Sequence, residues 1–532
     1  MAIQANAAAS SAAERDLTVA PRGRQIRRMT QDTVAPAAGA AYWHARARAL
    51  RPNALALING ELVPARSGET FECNSPIDGR RLASVAACDS ADVELAVAAA
   101  RACFERREWA GQAPAARKRV LLRFADLVDA AKQELALLET LDMGKPIRDS
   151  LSVDVPATVL CLRWYAEAID KLYDQVAPTD AASLALITRE PVGVVGAIVP
   201  WNFPMIMAAW KIAPVLAAGN SLVLKPSEKS PLSAIRLGQL ALEAGLPSGV
   251  LQVLPGFGHT AGAALASHMD VDCITFTGST ATGKRVMQAA AQSNLKRVSL
   301  ECGGKSPNIV MADFDDLDRV AQAAAAAIFF NQGEMCSAGS RLLVQEPIRE
   351  PLLERIGRIA RTMTPGDPLD PESRLGAMVD ESQTRRVLEY IDSGQSEGAR
   401  LALGGRRVRL ESGGCYIEPT VFDAVTSGMR IAREEIFGPV LATLSFRNLD
   451  EALRLANDVS YGLAAGIWTR DLQCAHRAAR ALRAGVVYVN CYDTDDITVP
   501  FGGFKQSGFG RDKSLHAFDK YTELKTTWID LS

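Results

Sequence analysis

Short β-branched runs that alternate with Ala- and Leu-rich helical stretches predict an α/β chain built from two modules in series. Three observations carry this reading. "VGVVGAIVP" (192–200), "SLVLKP" (221–226), "VLQVLPG" (250–256) and "CITFTGS" (273–279) are short and apolar, and each runs through a Gly or Pro turn into a helix-like segment. That is how strands buried on both faces of a parallel sheet read. A second set follows at "NIVM" (308–311), "RLLVQ" (341–345), "LATLSF" (441–446), "AAGIWT" (464–469) and "GVVYVN" (485–490). Ahead of both sets, residues 92–141 space their apolar positions by three and four, as helices do. The absence of a short-period repeat argues against a solenoid.

The chain has 532 residues, with 59 Lys+Arg against 61 Asp+Glu, a net charge of −2 and a hydrophobic fraction of 48%. This globular composition excludes a disordered or coiled-coil chain, and the neutral balance argues against a nucleic-acid partner. At roughly 150 residues per domain, the length suggests two to four domains. Ten cysteines without a C-x-x-C spacing read as free thiols in a reducing compartment, which points to the cytoplasm. Five scattered histidines give no metal site. Residues 1–41 are Ala-rich, carry Arg15, Arg22, Arg24, Arg27 and Arg28, and lack an apolar signal core. They read as a flexible N-terminal extension or an over-long start with Met29 as an alternative initiator, and their composition also resembles a transit leader. Residues 191–210 carry no charge over 20 positions. Pro191, Gly193, Gly196, Pro200, Asn202 and Pro204 interrupt them, so a strand, a loop and a buried helix fit better than a membrane span.

Several loops carry chemistry. In "FTGSTATGKRV", Gly278 and Gly283 bracket the start of a helix after a strand, which is either an anion site for a pyrophosphate or simply a tight turn. "PGFG" (255–258) is a weaker turn of the same kind. In "LKPSEKSP", Lys225 and Glu228 follow a strand, where they suit ribose hydroxyls or cap a helix. A carboxylate there favours a free 2′-hydroxyl over a 2′-phosphate. "VSLECGGKSPNIV" puts Glu301 before a double glycine, a place for a general base. "FFNQGEMCSAGSR" puts Cys336 in a Gly-flanked turn with backbone N–H groups at hand, which suits a nucleophilic thiolate. In "PWNFP" two prolines hold Asn202, whose amide can donate to an oxyanion. "REEIFGPV" (433–440) and "VPFGGFKQSGFGR" (499–511) are further rigid loops of the kind that cover sites.

In this order these segments resemble the NAD(P)-dependent aldehyde dehydrogenase superfamily, from about Tyr42 to the end of the chain. "LETLDMGKPIRDS", "RWYAEAIDK", "KPSEKSPLSAIRL" and "GRDKSLHAFDKYTELKTTWI" are similar to the bacterial gamma-glutamyl-gamma-aminobutyraldehyde dehydrogenases of polyamine breakdown. The resemblance implies that Cys336 is the nucleophile and Glu301 the general base, with Asn202 and the Cys336 N–H as the oxyanion hole and Lys225 also in the catalytic set. It implies NAD, with NADP as a further possibility. Lys225, Ser227 and Glu228 would take the adenosine ribose side, and Gly258, Gly278, Ser279 and Gly283 the pyrophosphate side. Glu435 and Phe437, with Trp201 and Gly303, would take the nicotinamide side. Cys302 would be a buried filler.

The implied fold is a Rossmann-type cofactor domain (42–170 and 192–303), an α/β catalytic domain (304–503), and a β-flap (171–191) that pairs with the C-terminal segment (504–532) and joins subunits into a dimer or tetramer. In amino-aldehyde-oxidising relatives an acid matching Asp142 lines the substrate tunnel. Asp493, Asp495 and Asp496 lie in a loop that rims it, and Trp164 and Tyr165 would add an aromatic wall. Acids there would favour a cationic or amide-bearing tail, the alternative for each being a solvated surface residue. Met143 and Glu334 depart from the usual pattern, and a carboxylate at Glu334 facing Cys336 would raise the thiol pKa. A non-catalytic structural protein would lack Cys336, Glu301 or Asn202, and a coenzyme A-acylating enzyme would lack Glu301. A semialdehyde dehydrogenase would want an Arg in the tunnel.

Overall fold

The computed structural model describes residues 39–532. Of the expected N-terminal extension, residues 1–38 lie outside the described residues. Its boundary moves, because the helix Ala40–Ala49 already includes residues 40 and 41.

The first sheet has eight strands. Its five central strands stand in the order Leu251–Val253, Ser221–Lys225, Val194–Ile198, Cys273–Thr277, Arg297–Glu301, all parallel. Valines, isoleucines and leucines bury these strands on both faces, and the helices Pro204–Ala218, Leu232–Glu243 and Thr280–Gln292 connect them. The chain works outward from Val194–Ile198 in one direction and then crosses back to its other side, so the order reverses between Val194–Ile198 and Cys273–Thr277. Ligands of open α/β sheets bind at the carboxyl ends beside such a reversal. The helical stretch ahead of the sheet is three helices, Ser90–Glu105, Pro114–Ala130 and Lys132–Met143. A capping box of Asp89 and Asp92 starts the first, and Gly144 at φ 91° stops the third.

The second sheet has seven strands, ordered Arg400–Leu403, Thr420–Asp423, Val440–Phe446, Arg341–Gln345, Pro307–Val310, Ala464–Trp468, Val486–Val489, antiparallel only at the first pair. It starts six residues after Glu301 closes the last parallel strand of the first sheet. Glu301 therefore ends one sheet while Cys336 precedes the strand Arg341–Gln345 of the other: carboxyl ends of the first sheet meet amino ends of the second.

A third sheet pairs Thr522–Asp530 with Ser183–Pro191 over nine residues, with Gln175–Ala177 on the far edge. Leu524 and Trp528 on the outer strand are exposed. Among the described residues no helix is long and apolar enough to cross a membrane. The uncharged run at 191–210 divides into a strand, a loop and the buried helix Pro204–Ala218.

Arg341 ties the second sheet together. Its side chain is 2% exposed and donates to three carbonyls: Lys305 O (2.9 Å), Leu455 O (2.9 Å) and Ala456 O (2.8 Å). Arg341→Met would leave all three unpaired in the interior, and the expected loss of stability is roughly 3–5 kcal/mol. Urea unfolding checks this, and a midpoint equal to that of the parent would contradict it.

Candidate active site at the junction of the two sheets

The chain between the sheets is Glu301, Cys302, Gly303, Gly304 and Lys305. A Cβ at position 303 would lie 2.0 Å from Glu435 Oε2, and one at 304 would lie 2.4 Å from the Cys336 carbonyl oxygen. The double glycine is what lets Glu435 and the Cys336 turn come this close. The Gly304 N–H donates to Glu435 Oε1 at 3.0 Å, and burial lifts the Glu435 carboxyl to about 7.

Cys336 lies at the end of a strained turn. Asn331 (φ 48°), Gln332 (φ 57°) and Gly333 (φ 71°) are successive left-handed residues, a conformation that non-glycine residues hold only where surroundings enforce it. Here Asn331 Nδ2 donates to Asn202 O (3.0 Å) and Glu334 O (3.2 Å), and Gln332 Oε1 accepts from the Gly376 N–H (3.0 Å). Asn202, 4% exposed, donates through Nδ2 to Glu334 O at 2.9 Å. One amide proton of Asn202 is thus tied to the turn that carries Cys336, which fixes where the other points.

Burial and the charges of Glu301, Glu435 and Asp493 push the Cys336 thiol well up, against the Ser337 N–H, which favours its thiolate. The Glu301 carboxyl is also raised, first by burial and then by Asp512. Its Oε1 is buried and has no hydrogen-bond partner among the described residues. An acid with an unpartnered oxygen thus stands close enough to the thiol to act on it. Cys302 packs against the first turn of the helix Thr280–Gln292, where a Cβ on Gly283 would come 2.9 Å from its sulfur, and burial pushes its thiol up to about 12.

The residues present fit a dinucleotide. Gly278 ends the strand beside the order reversal, where a Cβ would meet the Phe276 ring at 2.6 Å. Ser279 caps the following helix by accepting from the Thr282 N–H at 3.3 Å, leaving a helix N-terminus for an anion. Gly258 has open space above it and Gly283 lies one turn into that helix. Glu228 Oε2 stands 3.7 Å from Lys225 Nζ, and Ser227 Oγ accepts from the Lys229 N–H at 3.2 Å. On the other side of the cleft the Trp201 and Phe437 rings meet edge-on at 5.2 Å, with Phe437 at φ 61°. Lys225 does not stand as a free catalytic group: its ammonium donates to Pro226 O (2.5 Å) and Gly256 O (2.7 Å), so it anchors loops on the adenosine side.

The expected tunnel residues part company. Asp142 is fully buried, accepts from the Leu232 N–H (2.9 Å) and Cys73 Sγ (2.9 Å), and is lifted by burial to about 7. It pins the helix Leu232–Glu243 and presents nothing to a substrate tail. Tyr165 is also core: its hydroxyl donates to Ser514 O at 3.1 Å and its ring meets Phe518. Trp164 is half-buried and packs edge-on against Tyr165 at 4.8 Å. Asp493 does reach the site, accepting from Ser337 Oγ at 3.1 Å, with burial lifting it to about 6. Glu334, the departure beside the thiol, turns away. Its Oε1 accepts from the Val379 N–H at 3.1 Å, and burial raises its carboxyl well above the ordinary range.

Comparison with known proteins decides what this arrangement belongs to. The model of the aldehyde dehydrogenase family matches residues 62–527. The chain belongs to the aldehyde dehydrogenase family. It is 54% identical over 491 residues to the NADP/NAD-dependent aldehyde dehydrogenase PuuC of Escherichia coli (strain K12), covering 92% of this chain and 98% of that one. A solved indole-3-acetaldehyde dehydrogenase with NAD+ superposes with a TM-score of 0.92 at 60% identity, over 93% of this chain and all of that one (100%). A gamma-glutamyl-gamma-aminobutyraldehyde dehydrogenase from Burkholderia cenocepacia J2315 does so with a TM-score of 0.92 at 59% identity, over 93% and 100%.

Three charged residues of this aldehyde dehydrogenase were given no role by the sequence reading. Asp512 accepts from Lys211 Nζ at 2.5 Å and from Lys520 Nζ. Burial alone would raise Asp512, but the two ammoniums more than offset it and hold it at about 2. All three charges act on Glu301. Asp512 and Lys520 lie in the segment "GRDKSLHAFDKYTELKTTWI", which carried the resemblance, and Lys211 is the first charge after the uncharged run 191–210. Because Glu334 faces Val379, Glu334→Gln is expected to leave the pH dependence of Cys336 alkylation by iodoacetamide unchanged. A profile displaced to lower pH would mean that the carboxylate faces the thiol after all.

Proposed function

We propose that this aldehyde dehydrogenase oxidises an amino- or acylamino-aldehyde, such as the gamma-glutamyl-gamma-aminobutyraldehyde of polyamine breakdown, to the acid through a Cys336 thioester. The observation that carries the reading is the buried Glu301 oxygen, without a hydrogen-bond partner among the described residues, on an acid that acts on the Cys336 thiol. The substrate class rests on the similarity to the Burkholderia enzyme.

Because burial keeps the thiol protonated, Glu301 must first take its proton. The sulfur then attacks the aldehyde carbon, and the oxyanion lies against the spare Asn202 amide proton and the Cys336 N–H. Glu228, the Ser279 helix start and Glu435 would hold NAD(P)+, which would accept a hydride and bring a positive charge beside the acids. The adduct becomes a thioester on Cys336 as its C–H leaves as hydride. Glu301, having released the thiol's proton to solvent, takes a proton from water, the water attacks the thioester, and the acid leaves as that proton passes to the Cys336 sulfur. Lys211 and Lys520 favour the ionised form of Glu301 that both steps need, against burial and the charge of Asp512, which raise its carboxyl.

All ten cysteines are free, which supports a cytoplasmic, reducing setting. A homo-oligomer, dimer or tetramer, would form through the third sheet, whose outer strand leaves Trp528 66% and Leu524 62% exposed. Trp528→Glu should then lower the mass measured by sedimentation, and an unchanged mass would remove that sheet from the interface.

Steady-state kinetics on an aldehyde panel with NAD+ and NADP+ tests the reading as a whole, and Glu228 favours NAD+. Cys336→Ala should abolish oxidation while Cys302→Ala keeps most of it; a dead Cys302→Ala would reverse the assignment. Glu301→Gln should slow both thioester formation and thioester hydrolysis, since each needs the base. The carboxyl of Glu301 is raised, so below its pKa it is protonated and cannot accept. Thioester hydrolysis should therefore speed up as pH climbs through that value, and a hydrolysis rate flat in pH would count against Glu301 as the base.

A further inference from the structure

The loop after the strand Val486–Val489 sends its three acids three ways. Asp493 goes to Ser337, and Asp496 closes its own turn on the Thr498 N–H (2.9 Å) and hydroxyl (2.7 Å). Asp495 pairs with Lys513. The pair is lopsided: the Lys513 side chain is 2% exposed and that of Asp495 66%. Lys513 Nζ lies over two aromatic rings, 5.6 Å from the centre of Trp210 and 5.8 Å from that of Phe501, which themselves meet edge-on at 5.4 Å. Left-handed backbone at Lys513 (φ 61°) and Ser514 (φ 49°) holds it there. Strain of this kind persists where surrounding structure enforces it.

Two routes tie this pair to the reacting thiol. Asp495 is two residues from Asp493, which touches the neighbour of Cys336, and two residues span at most about 7 Å. Lys513 follows Asp512, and Trp210 precedes Lys211, the two groups that act on Glu301. The pair is therefore joined by short chain segments to the groups that act on the Cys336 thiol and on Glu301.

We propose that Lys513 and Asp495 select the tail of the aldehyde, and that they take a dipolar tail carrying both an ammonium and a carboxylate. This rests on the function proposed above and sharpens its substrate class. A tail with a single positive charge meets attraction from Asp495 and repulsion from Lys513 at nearly the same distance, so little is gained. A neutral alkyl tail gains nothing from either. A dipolar tail gains from both: its ammonium meets the outer oxygen of Asp495, and its carboxylate meets Lys513. An ammonium has three donors, and Lys513 uses one on Asp495 with no other hydrogen bond among the described residues. The amino-acid end of a gamma-glutamyl amide has this pair of charges; a simple aminoaldehyde does not.

The test compares kcat/KM of the parent, Lys513→Met and Asp495→Asn on three aldehydes with saturating NAD+: gamma-glutamyl-gamma-aminobutyraldehyde, 4-aminobutyraldehyde and hexanal. In either variant the ratio of the dipolar substrate to hexanal should fall about tenfold or more, chiefly through KM. The ratio of 4-aminobutyraldehyde to hexanal should rise in Lys513→Met, which frees Asp495, and fall in Asp495→Asn. A single common factor across all three aldehydes marks a purely structural pair and overturns the proposal, as does an unchanged dipolar-to-hexanal ratio. If Lys513→Met does not fold, Asp495→Asn at its exposed position decides by the same ratios. A parent that oxidises hexanal and 4-aminobutyraldehyde but not the dipolar aldehyde overturns tail selection alone; a parent that oxidises none overturns the proposed function with it.

Discussion

A methyl group at position 303 or 304 would strike Glu435 or the carbonyl of Cys336, and on that closeness the rest of the site depends. Strands of the first sheet end where strands of the second begin, so functional side chains from both arrive at one seam. Glu301 comes with the first sheet, Cys336 with the turn that feeds the second, and Asn202 from the loop at the order reversal. None of these loops is rigid by itself. The Asn331 and Asn202 amides, both bonded to Glu334 O, lock the loop of one sheet to the turn of the other. Without bulk at 303 and 304, that contact and the Gly304–Glu435 bond can form together.

The seam is acidic and buried. Glu301, Glu435 and Asp493 all act on one thiol, and burial raises all three carboxyls as well as the sulfur. Like charges this close cannot all ionise. The chain answers by giving one acid to cations outright: Asp512, between Lys211 and Lys520, stays ionised while Glu301 beside it is raised. Neighbouring carboxyls driven apart in this way divide acid–base work from structural charge. A cationic ring entering the seam would relieve the remaining repulsion, and this ties thiolate formation to cofactor binding.

The central strands of both sheets were legible because their residues are apolar and β-branched on both faces. Arg400–Leu403 and Glu61–Val63 were not, being short, edge-placed and each carrying a charge. Cys336, Glu301 and Asn202 stood out because glycines and prolines frame them. What sequence could not show is direction. Asp142 looks functional as a lone acid in an apolar helix, but Cys73 and a backbone N–H already satisfy it. Glu334 looks hostile to the thiol beside it, yet it faces Val379. Lys211 and Asp512 are 301 positions apart and become one group only through tertiary folding.

Residues 512–514 show how chemistry and tail recognition come to share one segment. Asp512 faces inward to Lys211, while Lys513, turned by a left-handed backbone, faces Trp210 and Phe501. The segment is clamped from three sides. Phe501 and Asp512 exchange backbone bonds at 2.8 and 2.7 Å, the Ser514 N–H donates to Ile497 O at 2.8 Å, and Tyr165 donates to Ser514 O. The clamp fixes two opposite charges on adjacent residues at a fixed angle, so a shift that moved Lys513 along the tail would also move Asp512 relative to Glu301. Tyr165, which the sequence suggested as a wall of the tunnel, therefore works one layer further out. It holds the backbone from which both the acid that pairs with Lys211 and the tail's partner project.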